Sequence, residues 1–129
     1  MRALDTSVLA RWLLNDDPKQ SAIAEQLLAQ RVWVSQTVML ELGWVLFKSL
    51  QLPRPVVAAM LQQIVELDTV EVENCDALDW AISRFQRGAD WADMIHIAAC
   101  PGEASQFATF DRRLARQAGT SSPTPVEIL

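Results

Sequence analysis

RALDTSVLARWLLNDDP, residues 2–18, changes its period around a single carboxylate. Residues 2–4 are short and extended and end at Asp5. SVLARWLL then carries apolar residues at helical spacing until NDDP stops it. A strand that runs into a helix through one acid is the opening of a βα unit, and the rest of the chain repeats the alternation. Asp17 caps a second helix with Pro18 at its first position, and PKQSAIAEQLLAQ places Ile23, Leu27 and Leu28 on one face. VWV at 32–34 is a second strand. Ser35 or Thr37 then caps a helix running to about Leu50.

LPRP at 52–55 punctuates the chain before the helix VVAAMLQQIVEL and the alternating strand TVEVE at 69–73. Asn74 can cap CDALDWAISRFQR, which ends at Gly88. Asp90 begins DWADMIHIAAC, which PG at 101–102 stops. QFATF is a strand ending near Thr109, DRRLARQAG is a short helix, and VEIL is a terminal edge strand. Strands alternating with helices predict an α/β chain, a three-layer α/β/α sandwich with a central, mostly parallel sheet. Ligands in such folds gather at the carboxyl ends of the strands, where Asp5 and Asp111 stand.

At 129 residues with 50% apolar content, the chain is expected to form one domain over residues 1–129 with a core that needs no disulfide or structural metal. Cys75 and Cys100 form no CxxC or Cys/His cluster and read as buried thiols of a reducing compartment. No small-residue cleavage site follows the N-terminal segment, and no run reaches 18 apolar residues, so a cytoplasmic protein is expected. The net charge of −5 is unlike the basic footprint of most nucleic-acid binders. Most of that excess belongs to a metal site if four of the acids form one. Arg84, Arg87, Arg112, Arg113 and Arg116 all lie in the last third.

Those four acids are Asp5, Glu41, Asp93 and Asp111. Glu41 sits in VMLELGWVLF, residues 38–47, a helix apolar nearly all round and therefore expected to be internal. A buried carboxylate needs a compensating charge, either an arginine or a metal ion. Asp5 and Asp111 also suit plain helix capping. Asp90 and Asp93 share one face, the spacing that a cap at Asp90 with an acid in the first turn would give. His96, the only histidine, is read as packed and hydrogen-bonded. Arg112, Arg113 and Arg116 are either RNA-phosphate contacts or a solvated helix face.

Joined at the strand ends, four carboxylates are hard oxygen donors that suit Mg2+ or Mn2+, ions that keep several waters. Such an ion lowers the pKa of a water and stabilises charge on phosphodiester oxygens. With no Ser/His/Asp, Cys/His or glycine-rich phosphate loop in the chain, metal-assisted hydrolysis is the chemistry left.

LDTSVLARWLLNDDP, VSQTVMLELGWVL, GADWADMIHIAA and ATFDRRLAR, in that order, resemble the PIN-domain ribonucleases, and more closely the VapC-type toxins of bacterial toxin–antitoxin pairs. The resemblance covers essentially the whole chain. It implies an endoribonuclease with Asp5, Glu41, Asp93 and Asp111 holding Mg2+ or Mn2+, Asp93 rather than Asp90 being the metal acid of GADWAD. It implies supporting roles for Thr6, Ser7 and Thr109, a homodimer, and a cognate antitoxin protein, whose basic tail would suit an acidic toxin; the lack of a long apolar run adds the expectation of no membrane partner. Ser7 stands where the family often has Asn, and His96 and Cys100 where small or apolar residues are common. Two rivals remain. An aspartate-nucleophile phosphatase needs a second Asp at position 7, and a receiver domain needs a late Lys where none follows Lys48. The other rival is a non-catalytic module that keeps the fold.

Overall fold

The computed structural model describes all residues, Met1–Leu129. The chain divides into two compact units, Met1–Glu73 and Asn74–Leu129.

In the first unit, β1 (Arg2–Ala3), β2 (Val32–Val34) and β3 (Val70–Val72) form one sheet in the order β1-β2-β3, with both pairs parallel. Arg2 stands opposite Val32, and Val32 opposite Val70. Val32 and Val34 of the middle strand are buried, as β-branched residues in a strand covered on that face should be. Each parallel step needs a crossover, and helices supply it: α1 (Thr6–Leu14) and α2 (Pro18–Leu28) link β1 to β2. The second link runs through α3 (Gln36–Trp44), a π-helical turn (Val45–Ser49) and α4 (Arg54–Glu66).

Each helix starts where its capping chemistry dictates. Asp5 accepts from the Ser7 amide, Asp17 from the Gln20 amide at 3.0 Å, and Ser35 from the Val38 amide at 3.2 Å. Met39, Leu42 and Leu46 from the third helical run and Leu61 and Ile64 from α4 are fully buried, each stabilising the unit by about 1.5–3 kcal/mol relative to exposure.

Three sequence expectations are corrected here. The helix around VMLELGWVLF is not internal. It buries Gln36, Met39, Leu42, Gly43 and Leu46 along one stripe and leaves Thr37, Glu41, Trp44 and Lys48 in solvent, Trp44 at 57% exposure. On α2 the buried residues are Ser21, Ala24 and Leu28, while Ile23 is exposed. Small side chains face α1 because Ser21 Oγ donates to the Arg11 carbonyl at 2.9 Å, which holds the two backbones too close for a larger residue. Cys75 and Cys100 are not buried thiols: Cys75 is exposed and Cys100 half-buried, since both sit at helix ends.

In the second unit, α5 (Cys75–Gln86) packs on α6 (Trp91–Ala98), and Phe85 meets Trp91 edge to face with ring centroids 5.8 Å apart. Leu78, Ala81, Ile82, Met94 and Ile97 complete that interface's buried set. α5 stops at a turn in which Gly88 adopts φ +108° and the Ala89 amide donates to the Arg84 carbonyl at 3.0 Å. β4 (Phe107–Thr109) and β5 (Val126–Ile128) pair in parallel, Phe107 opposite Val126, with α7 (Arg112–Ala118) between them in sequence and packed on both. With every strand pair parallel and helices in each connection, the fold is α/β and PIN-like, as expected.

Candidate active site

Asp5 and Asp111 occupy equivalent places: each lies two residues past the end of a strand and caps the next helix. The Asp5 carboxylate accepts from the Ser7 hydroxyl at 2.8 Å and from the Ser7 amide at 3.3 Å. The hydroxyl bond, then the amide, hold its carboxyl below the usual aspartate range. Asp111 accepts from the Arg113 amide at 2.9 Å and the Leu114 amide at 3.2 Å, while its own amide donates to Thr109 Oγ1 at 3.0 Å. Ser7 thus bonds the Asp5 carboxylate, while Thr109 bonds the backbone of Asp111 and not its carboxylate. Thr6 is buried and its hydroxyl has no partner.

Glu41 belongs to the first unit with Asp5, and it is exposed rather than buried. The paradox of a charge in an apolar run dissolves: Glu41 lies on the solvent stripe of α3, beside Thr37 and Trp44.

The second unit brings three acids into one another's field. Asp90 caps α6 by accepting from the Asp93 amide at 3.0 Å, so the capping reading of that pair holds. Asp93 is half-buried. Burial first, then the charge of Asp90, push its carboxyl above the usual range; His96 pulls the other way by more than Asp111 adds, and Arg113 pulls the other way least. His96 is exposed, not packed as expected, because its position on α6 lies opposite the face that α5 covers. Of the three arginines singled out near the end, all are exposed, and Arg113 is the one that acts on Asp93. Gln117 escaped notice in the sequence: its Oε1 accepts from the Asp90 amide at 3.1 Å and ties α7 to the start of α6. No sequence pattern marks a glutamine for such a role.

No group of three or more His, Cys, Asp or Glu side chains stands close enough to hold a metal ion by itself. The chemistry of the donors nevertheless fits a hard divalent ion, which typically takes one or two carboxylates and completes its shell with water. A half-buried carboxylate crowded by two like charges is a place where a cation lowers the energy.

The chain is thus an α/β protein with an acid just past the end of each of two parallel strands. The family model of the PIN domain matches residues 2–120, and the chain belongs to that family. The match runs through both units and includes Asp5, Glu41, Asp93 and Asp111. PIN domains are generally nucleases, so the fold is of a nuclease type that acts on nucleic acid. Neither the curated proteins nor the solved structures supply a match. No helix is long and apolar enough to cross a membrane.

Proposed function

We propose that this chain is a Mg2+- or Mn2+-dependent endoribonuclease that serves as the toxin of a bacterial type II toxin–antitoxin pair. The observation that carries the reading is Asp93, half-buried and pressed by Asp90 and Asp111, a carboxylate arrangement that favours a divalent cation. In this reading residues 1–129 act as one nuclease domain. Asp5, Glu41, Asp93 and Asp111 would be the carboxylates that hold the ion.

When bound, the ion supplies a water of lowered pKa and offsets charge developing on the phosphodiester oxygens. The protein's own groups prepare that chemistry. Asp5 and Asp111 are oriented by the first-turn donors of their helices, so their carboxylates are positioned before anything binds. Asp90 keeps the first turn of α6 formed, which places Asp93. Arg113, already in the field of Asp93, is suited to receive a non-bridging phosphate oxygen.

Incubating the purified protein with single-stranded RNA tests the reading. Cleavage is expected with Mg2+ or Mn2+, is lost in EDTA, and falls at least about 100-fold in Asp93→Asn and Asp5→Asn, since even groups that only orient metal ligands are worth 10–100-fold. Undiminished cleavage by both variants would overturn the assignment. RNA retained but uncut with any divalent ion would make the chain a binding module instead. The toxin role, a cytoplasmic homodimer neutralised by an antitoxin, predicts growth arrest on expression and relief by co-expressing a short reading frame directly upstream.

A further inference from the structure

The second unit also carries a basic pocket that the acidic residues do not use. Arg84, Arg87, Gly88, Ala89, Arg116 and Gln117 line an open cavity of about 270 Å³. At roughly 30 Å³ per water, that is room for a phosphate group and several waters. These arginines are not in the ion pairs Arg11–Asp16 and Arg31–Glu71.

Arg84 is held in place. Its Nε donates to the Gln117 carbonyl at 2.6 Å, and a Cβ built on Gly119 would meet its guanidinium atoms at 2.9–3.0 Å. The Gly119 backbone, at φ +70°, therefore lies against the guanidinium. Only one of its five N–H groups is used by that bond, which leaves its terminal nitrogens as donors. Arg87 and Arg116 are exposed and flank it from the ends of α5 and α7.

A simpler role for arginines at helix C-termini is to offset the negative end of the dipole. Two helices end here, each contributing about half a negative charge, against three full positive charges. A surplus of about two positive charges is left on a protein whose net charge is −5. Three forked guanidiniums around a cavity match the oxygens of a phosphate, which arginine binds through paired hydrogen bonds.

We propose that this pocket binds one backbone phosphate of a single-stranded RNA. Gln117 connects it to the acidic group, since its carbonyl takes Arg84 while its side chain takes the Asp90 amide. A strand seated there is anchored beside α6. The choice of RNA as occupant rests on the nuclease reading, whereas the phosphate chemistry does not.

The test is RNA binding by the full chain in EDTA, followed by the anisotropy of labelled single strands of varied sequence across a salt series. Arg87→Ala and Arg116→Ala are each expected to lose about tenfold or more in affinity, equally for all sequences. Their double variant should bind with a slope of log affinity against log salt shallower by about 0.7, one phosphate's share. Arg84→Lys, which keeps the charge and loses the held plane, should weaken binding with the slope unchanged. Lys19→Ala, an exposed cation on α2, should bind as the parent does. Arginine variants that bind like Lys19→Ala overturn the proposal. So does a parent protein that binds no RNA, and in that case a rise in melting temperature with inorganic phosphate, absent from the double variant, reassigns the pocket to free phosphate. Cleavage with Mg2+ is scored separately. Arginine-dependent binding without cleavage sinks the nuclease reading alone, and cleavage with arginine-independent binding sinks this one alone.

Discussion

Asp5 and Asp93 are acids of the same type on helices that follow the same fold logic, yet their surroundings act on them in opposite directions. In the first unit, Asp5 stands in solvent and accepts from Ser7 twice, so its charged form is favoured. In the second, Asp93 lies half-buried one turn inside α6, with Asp90 and Asp111 near, so its charged form is disfavoured. A carboxylate at a helix cap is satisfied by the backbone it caps. A carboxylate past the cap, in company with like charges, is left wanting a cation, and that asymmetry singles out Asp93 among the four acids.

The broadest way to break the contrast is to ask whether the units unfold together. Leu42→Ala empties a fully buried site in the first unit and Leu78→Ala one in the second, and each should cost about 2–5 kcal/mol. If residues 1–129 are one cooperative domain, urea unfolding shows a single transition, and both variants shift the same midpoint. Trp12, Trp33 and Trp44 report on the first unit and Trp80 and Trp91 on the second. Two transitions, each sensitive to one variant, would make the units independent.

A smaller effect sharpens the electrostatic half of the comparison. Because Asp93 takes up its proton more readily in the folded protein than in the unfolded chain, metal-free stability falls as pH rises through the folded pKa. Asp93→Asn removes that burden, so in EDTA the variant should melt above the parent at neutral pH. The gap should close below pH ~4, the ordinary aspartate range. Equal melting temperatures at both ends of the pH series would remove the argument for crowding at Asp93.

The smallest expected effect has the opposite sign. Asp5 is held below its ordinary pKa, so its contribution to stability is present above the unfolded value and is lost as pH falls through the folded one. Asp5→Ala should therefore melt below the parent at neutral pH, with the difference fading in acid. Asp5→Asn, which can still cap but carries no charge, should melt between the two at neutral pH and meet the parent in acid. A penalty that persists unchanged in acid would mean that packing, not the charge, is what Asp5 contributes.

Local chemistry made most of the fold legible. VWV is a strand at the residues expected; Asp17, Asn74, Asp90 and Asp111 cap the helices they precede, and of Ser35 and Thr37 it is Ser35 that caps α3. A cap is a contact within three residues, so the sequence contains both partners. What periodicity does not contain is the identity of the surface that meets a helix. VMLELGWVLF is apolar on both sides, and only its buried stripe through Met39, Leu42 and Leu46 decides that Glu41 and Trp44 face water. Ile23 was a plausible core residue for the same reason, until the closeness of α1 selected Ser21 and Ala24. At the site, the spacing of Asp90 and Asp93 suggested a cap followed by a first-turn acid, and the Asp93 amide does donate to Asp90. The crowding of Asp93 by Asp111 depends on where α7 lies and could not be read from spacing.

The π-helical turn at Val45–Ser49 places one more residue in each hydrogen-bonded ring than an α-helix does, as the Leu50 amide bonded to the Val45 carbonyl at 2.9 Å records. This bears on tolerance to changes of chain length. Deleting one residue from this turn leaves an ordinary α-helix with α3 undisturbed upstream, whereas a deletion between Gln36 and Trp44 rotates Glu41 or Leu42 off its stripe by about 100°. Insertions and deletions in this long helical arm should therefore collect beyond Trp44, and the stretch that carries Glu41 should keep a fixed length.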